Sequence, residues 1–136
     1  MTVVIKEAEL GLTEDLFALY VDAGWTIYTE QRDMLEKAFA HSLKVYVAQV
    51  GQDVVGLIRV VGDGHSVVFV QDLIVRSDYQ RQGIGRRLLE QVFETYQNVY
   101  QLHLMTEDSE KTIQFYTSLG MVRDSEIGCA AFSKYH

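Results

Sequence analysis

The chain has 136 residues, close to half of them apolar, and a formal net charge of −7, which predict one domain spanning 1–136 with a real hydrophobic core. The acidic balance argues against broad nucleic-acid binding, which needs Lys and Arg spread over a face, and the absence of an apolar run of about 20 residues argues against a membrane partner. Cys129 is the only cysteine, so an intrachain disulfide and a cysteine-built zinc site are excluded; Lys6, Glu7 and Glu9 stand where a signal peptide needs its apolar stretch, so the expected location is cytoplasmic.

There is no proline, repeat or low-complexity tract to mark a boundary. "TVVIKEA" reads as a short strand. "LTEDLFALYVDAG" reads as a helix capped by Thr13 and stopped by Gly24, with Leu16, Leu19, Tyr20 and Ala23 on one face. "EQRDMLEKAFAHS" repeats the helical period through Met34, Leu35, Ala38 and Phe39. "LKVYVAQV", a turn at "GQD" and "VVGLIRVV" make a hairpin, and a turn at "GDG" leads into "HSVVFVQDLIVR". From Gly85 the positions Leu88, Leu89, Val92, Phe93 and Tyr96 mark a helix. "VYQLHLMT" follows as a strand, "SEKTIQFYTSLG" as a helix ended by Gly120, and the tail as two short strands, with Cys129 on a terminal strand in a packing role. The order is β-α-α-β-β-β-α-β-α-β-β, a mixed α/β (α+β) class.

One stretch, "YQRQGIGRRLLEQV" from Tyr79 to Val92, concentrates positive charge in an acidic chain. Arg76, Arg81, Arg86 and Arg87 are four of the twelve basic residues. A helix start carries unpaired N–H groups and about half a positive charge, and Gly83 and Gly85 expose those groups to a bulky anion. A small anionic ligand fits this better than a polyanion does. A dinucleotide fingerprint would need a third glycine where Leu88 stands, and a P-loop would need Gly-Lys-Ser/Thr, which is absent.

The segment Gln80-Arg81-Gln82-Gly83-Ile84-Gly85 matches Gln/Arg-x-x-Gly-x-Gly/Ala, and "IQFYTSLGM" matches a Phe-Tyr-x-x-Leu-Gly-Phe segment with Met121 in the last place. In both motifs, and in element order, the chain resembles the GNAT superfamily of N-acyltransferases. The resemblance implies a mostly antiparallel central sheet of about seven strands flanked by four helices and splayed between the fourth and fifth strands. It implies acetyl-CoA as co-substrate and no metal. Gln80, Arg81, Gln82, Gly83, Ile84, Gly85 and Arg86 would hold the CoA pyrophosphate, and the backbone of Leu73, Ile74 and Val75 the pantetheine arm. Ser109, where the family often has Asn, would be a further cofactor contact.

Acyl transfer to an amine needs a neutral amine, charge stabilisation on the carbonyl oxygen and a proton for the leaving thiolate. Aspartate is disfavoured in strands, so Asp72 within "VVFVQDLIV" is either the base that relieves the amine of its proton or a strand-end side chain paired with an arginine or a backbone N–H. A strand N–H near Ile74 would meet the oxyanion. Tyr116 falls at the family's general-acid position, or alternatively joins Ile113 and Leu119 in a core stripe. Trp25 and Tyr28, in "VDAGWTIYTEQ", either wall an acceptor pocket suited to cationic or aromatic amines or plug the core. His65 and His103 have no partner at ligand spacing and read as structural.

The expectation is an N-acetyltransferase acting on a small-molecule primary amine by direct attack in a ternary complex, with homodimerisation allowed. Two other readings remain open: an idle CoA-binding or protein-interaction module of the same fold, and a nucleotide-binding regulator.

Overall fold

The computed structural model describes residues 2–136. Its elements are β1 (Val4–Ala8), α1 (Glu14–Ala23), α2 (Thr26–Thr29), α3 (Arg32–Ala40), β2 (Lys44–Val50), β3 (Asp53–Gly62), β4 (Val67–Val75), α4 (Ile84–Thr95), β5 (Gln101–Leu104) and α5 (Glu110–Ser118), with 3-10 turns at Ser77–Tyr79 and Asp124–Ile127. Two compact units result. One runs to Met105 and holds the sheet with α1–α4; the other, Thr106–His136, holds α5 and the tail. Among the described residues no helix is long and apolar enough to cross a membrane.

The sheet of the first unit has the order β1-β2-β3-β4-β5, antiparallel up to β4 and parallel from β4 to β5. Consecutive strand residues face opposite sides, and Gly56 and Leu57 show which helices cover each. Leu57 joins Leu16, Leu19 and Tyr20 of α1, and Leu35 and Phe39 of α3, in one buried cluster. A Cβ on Gly56 would come within 3.3 Å of Leu88 and 3.5 Å of Ile84, so its missing side chain lets α4 lie close on the opposite face. Each fully buried leucine in these layers contributes roughly 1.5–3 kcal/mol.

The local signals for the helices are met. Thr13 Oγ1 accepts the Leu16 N–H at 3.3 Å to start α1, and Gly24, at φ 73°, ends it. Two expectations are corrected. Five strands and five helices form among the described residues, against about seven and four expected. The extra helix is α2, a single turn in the segment after Trp25. The two tail strands do not form: Glu126, Gly128 and Cys129 give their N–H groups to Arg123, Ser125 and Asp124, so a local turn occupies the groups a first tail strand would pair. Cys129 is accordingly exposed, not packed.

The β3–β4 connection rests on Asp63. Its Oδ1 accepts the N–H groups of His65 (2.8 Å), Ser66 (2.7 Å) and Val67 (3.1 Å), and Oδ2 accepts the Ser66 hydroxyl. The Ser66 hydroxyl bond, followed by the backbone donors, holds this carboxyl well below its ordinary range. A folded-state value below the unfolded one means stability present above about pH 4 and lost as the pH falls further. The gap in melting temperature between the wild type and Asp63→Ala should therefore be widest near neutral pH and narrow on acidification below about pH 4. Thermal unfolding between pH 7 and pH 2.5 checks this; a gap that does not narrow would remove Asp63 from the account of the turn.

Candidate active site

Strand β4 loses a neighbour halfway along. It pairs with β5 from Val67↔Gln101 to Val70↔Leu104, and β5 then ends while β4 continues to Val75. The pairing of the fourth and fifth strands thus stops at Val70↔Leu104. On its other side β4 stays paired with β3, through Arg59↔Asp72, Ile58↔Leu73, Leu57↔Ile74 and Gly56↔Val75, but Arg59↔Asp72 is followed by Val60↔Val70. Gln71 is the extra residue of a β-bulge, a feature with no signature in the sequence.

The direction of the β4 backbone follows from its end. The Arg76 N–H donates to Val55 O at 2.8 Å, and the Ile74 oxygen lies toward Gly56 of β3. Peptide groups alternate sides along a strand. Ile74 therefore turns its backbone to β3, while Leu73 and Val75 turn theirs to the open edge. Of the strand N–H groups near Ile74, the expected oxyanion donors, those of Leu73 and Val75 turn away from β3. The Val75 carbonyl already accepts Gln80 Nε2 at 3.1 Å, which ties the following loop to the strand.

The loop then bends sharply. Arg81 has φ 64° and Gly83 φ 80°, two left-handed residues ahead of α4, and an added Cβ on Gly83 would meet nothing within 4 Å. The Arg87 N–H donates to Gly83 O at 3.1 Å, so the amides of Ile84, Gly85 and Arg86 come before the first bond of the helix. This is a cradle of the kind that a phosphate fits: open space, helix-start amides and glycines. The surrounding arginines are not equally available. Arg76 is held by Asp78 at 2.7 Å, Arg87 Nη1 donates to Val3 O at 2.8 Å, and Arg86 lies 3.6 Å from Glu90. Arg81 is exposed beside the cradle.

Asp72 is buried, and one of its carboxylate oxygens is bonded on two sides. It is 2% exposed, and its Oδ2 accepts both Arg59 Nε and Tyr20 Oη at 2.8 Å. Arg59, 4% exposed, also donates from Nη1 to Ser42 Oγ at 3.2 Å. Burial alone would lower the Arg59 pKa, but the charge and hydrogen bond of Asp72 carry it above its ordinary value. Burial first, and then Asp72, push the Tyr20 phenol well above its ordinary range. The pairing of the strand carboxylate with an arginine, one of the two readings the sequence left open, is present in the structure. Arg59 and Ser42 went unnoticed in the sequence, and Tyr20 was read only as part of a helix face. The available signal was Arg59 inside "VVGLIRVV", as anomalous in an apolar strand as Asp72 is one hairpin later.

The aromatic pair is assembled by the end of α1. The Gly24 N–H donates to Val21 O and the Trp25 N–H to Tyr20 O, a helix ending that folds the residue after the glycine back on the last turn. Trp25 consequently packs edge-on to Tyr20, ring centroids 5.9 Å apart, and Tyr28 of α2 does the same at 5.3 Å. Trp25 remains 37% exposed and Tyr28 half-buried, so the pair covers the core with one side and faces solvent with the other. Through Tyr20 these rings connect to Asp72.

In the second unit, Ser109 Oγ caps α5 by accepting the Thr112 N–H at 3.3 Å, a structural task for a residue expected at the cofactor. Tyr116 packs edge-on to Phe115 at 4.9 Å. Burial raises its phenol above the ordinary value, and a hydrogen bond with Thr106 opposes the shift.

The family model described as an acetyltransferase (GNAT) domain matches residues 41–123. Among solved structures, the chain is 44% identical to the GNAT family acetyltransferase SP0256 of Streptococcus pneumoniae TIGR4, with a TM-score of 0.90 over 99% of this chain and 98% of that one. The fold is shared with SA2161, a probable acetyltransferase of meticillin-resistant Staphylococcus aureus, at 23% identity and a TM-score of 0.79 over 98% and 100% of the two chains. It is shared as well with a GNAT family acetyltransferase of Elizabethkingia anophelis whose structure has acetyl-CoA bound, at 18% identity and a TM-score of 0.63 over 87% and 73%. No curated protein matches the chain. With the family model spanning more than half its length and a 44% identical relative covering nearly all of it, the chain belongs to the GNAT acetyltransferase family.

Proposed function

We propose that the protein transfers the acetyl group of acetyl-CoA to a primary amine of a small molecule, in one step with both substrates bound. The observation that carries this reading is the continuity of the open β4 edge at Leu73 and Val75 with the glycine-opened start of α4. An extended arm carrying amides suits the first, and a pyrophosphate suits the second. The acetyl-CoA bound to the Elizabethkingia protein adds support by family relation.

Acetyl-CoA would supply an acyl group activated as a thioester. The Leu73 N–H, a fixed dipole at a strand edge, would stabilise charge gathering on the carbonyl oxygen. As the new C–N bond forms and the C–S bond breaks, the amine nitrogen gives up one proton to solvent and the thiolate sulfur takes one from Tyr116. That role for Tyr116 is supported by its place in "FYTSLG". Asp72 is assigned here to holding β4 and Tyr20 in place, and not to proton removal. Trp25 and Tyr28 would form the acceptor wall, and their ring faces suit aromatic or cationic amines.

Gly83→Asn tests the cradle. Asparagine tolerates the left-handed backbone better than most residues, so stability should change by about 1 kcal/mol or less. Its side chain enters the open space, and the affinity for CoA, measured by calorimetry, should fall at least tenfold. Unchanged affinity in the folded variant would move the pyrophosphate elsewhere.

Tyr116→Phe should lower the turnover of an active amine while leaving the dissociation constant of acetyl-CoA unchanged, because the hydroxyl acts on the departing sulfur. The loss of one hydroxyl costs about 1 kcal/mol of stability. Turnover at the wild-type rate would return Tyr116 to a packing role.

A further inference from the structure

The acceptor side holds one polar side chain that the transfer reading leaves unused. Gln71 and Asp72 are consecutive residues of β4, and in a regular strand they would face opposite sides of the sheet. Here both reach the side covered by α1 and α2: Asp72 accepts from Tyr20 of α1, and Gln71 Nε2 donates to Tyr28 Oη of α2 at 3.3 Å. The bulge is the cause, because an inserted residue re-aims the side chains around it. Gln71 thereby stands exposed against the aromatic wall. It lies where β4 has just lost β5, two residues before the first amide that faces the open edge.

A carboxamide has two N–H donors and one acceptor oxygen. One Nε2 N–H is directed at Tyr28, which leaves Oε1 and the second N–H for other partners, and Oε1 is the group that calls for an N–H donor. Nearby, Asp72 Oδ2 already receives Tyr20 and Arg59. We infer, on the basis of the transfer reading above, that Gln71 Oε1 accepts an N–H of the acceptor amine and holds its nitrogen beside the open edge of β4. Gln71 is in these terms a substrate-binding and specificity-determining residue.

The neutrality of this oxygen matters. A carboxylate at the same place would favour the ammonium form, which has no lone pair to attack with; an amide oxygen accepts from the neutral amine without that bias. The charged and titratable groups around it are Tyr20 on α1, Tyr28 on α2, Arg59 on β3 and Asp72 on β4, and the opposite charges of Arg59 and Asp72 are paired. The rate should therefore rise with pH along the ionisation of the substrate's own amine.

The test is steady-state acetylation of 2-phenylethylamine, a short aliphatic diamine and an amino alcohol by the wild type, Gln71→Ala and Gln71→Glu. Gln71→Ala should raise KM for the best amine at least tenfold and leave KM for acetyl-CoA unchanged. Gln71→Glu should shift the acidic limb of the kcat profile upward by about one pH unit or more, as the new carboxylate stabilises the ammonium form. If both variants keep the wild-type amine KM and the wild-type limb, the assignment of Gln71 is wrong and the transfer reading stands. If the wild type binds acetyl-CoA but acetylates no amine of the panel, the transfer reading fails and the inference fails with it.

Discussion

One oxygen atom, Asp72 Oδ2, ties together the parts of the first unit on which the proposed chemistry depends. Arg59 Nε reaches it from the neighbouring strand and Tyr20 Oη from α1, each at 2.8 Å. The position of this contact explains its value. At Val70 the strand β4 gives up pairing with β5, and from there on one of its edges lacks a strand neighbour. A half-paired strand next to a bulge would be a soft element, and a ligand would have to order it on binding. The buried ion pair and the phenol fix it before any ligand arrives. Removing one partner of such a pair leaves a buried charge uncompensated, at a cost of roughly 3–5 kcal/mol.

The same contact joins the two halves of the proposed reaction. Toward the C-terminus, the fixed strand presents Leu73 and Val75 to the open edge and runs through Gln80 into the cradle before α4. Toward the helices, Tyr20 carries Trp25 and Tyr28, placed by the glycine ending of α1, and Asp22 of that helix accepts the Ser77 N–H at 2.8 Å beyond the end of β4. The proposed acceptor wall and the proposed cofactor edge are thus held by the same few bonds. This accounts for a charged residue in a strand where sequence propensity disfavours one.

The legible parts of the molecule were those set by short-range chemistry. Thr13, Gly24, Gly83 and Gly120 mark helix ends because caps and left-handed residues act within a few positions, and the helix-start cradle is written in six consecutive residues. The parting of β4 from β5 came from the family resemblance, not from any pattern in "YQLHLMT". What escaped the sequence depends on register. The Arg59–Asp72 partnership requires knowing which residues of two strands face each other, and the bulge at Gln71 changes that count without any local signal. The direction of the Ile74 backbone is fixed by the same register. The tail shows a different limit: its apolar residues suit strands, but three turn bonds between Arg123 and Cys129 settle the local conformation first.

The central claim is that Asp72 holds the site in place and takes no proton from the substrate. The direct measurement is the pH dependence of kcat/KM for an acetylated amine in Asp72→Asn, set against that of the wild type. Activity should fall by a factor that does not vary with pH, with the acidic limb still following the amine's own ionisation. A limb that disappears in the variant, with activity down by about 10²–10⁴ while the fold is intact, would make Asp72 the general base and contradict the account.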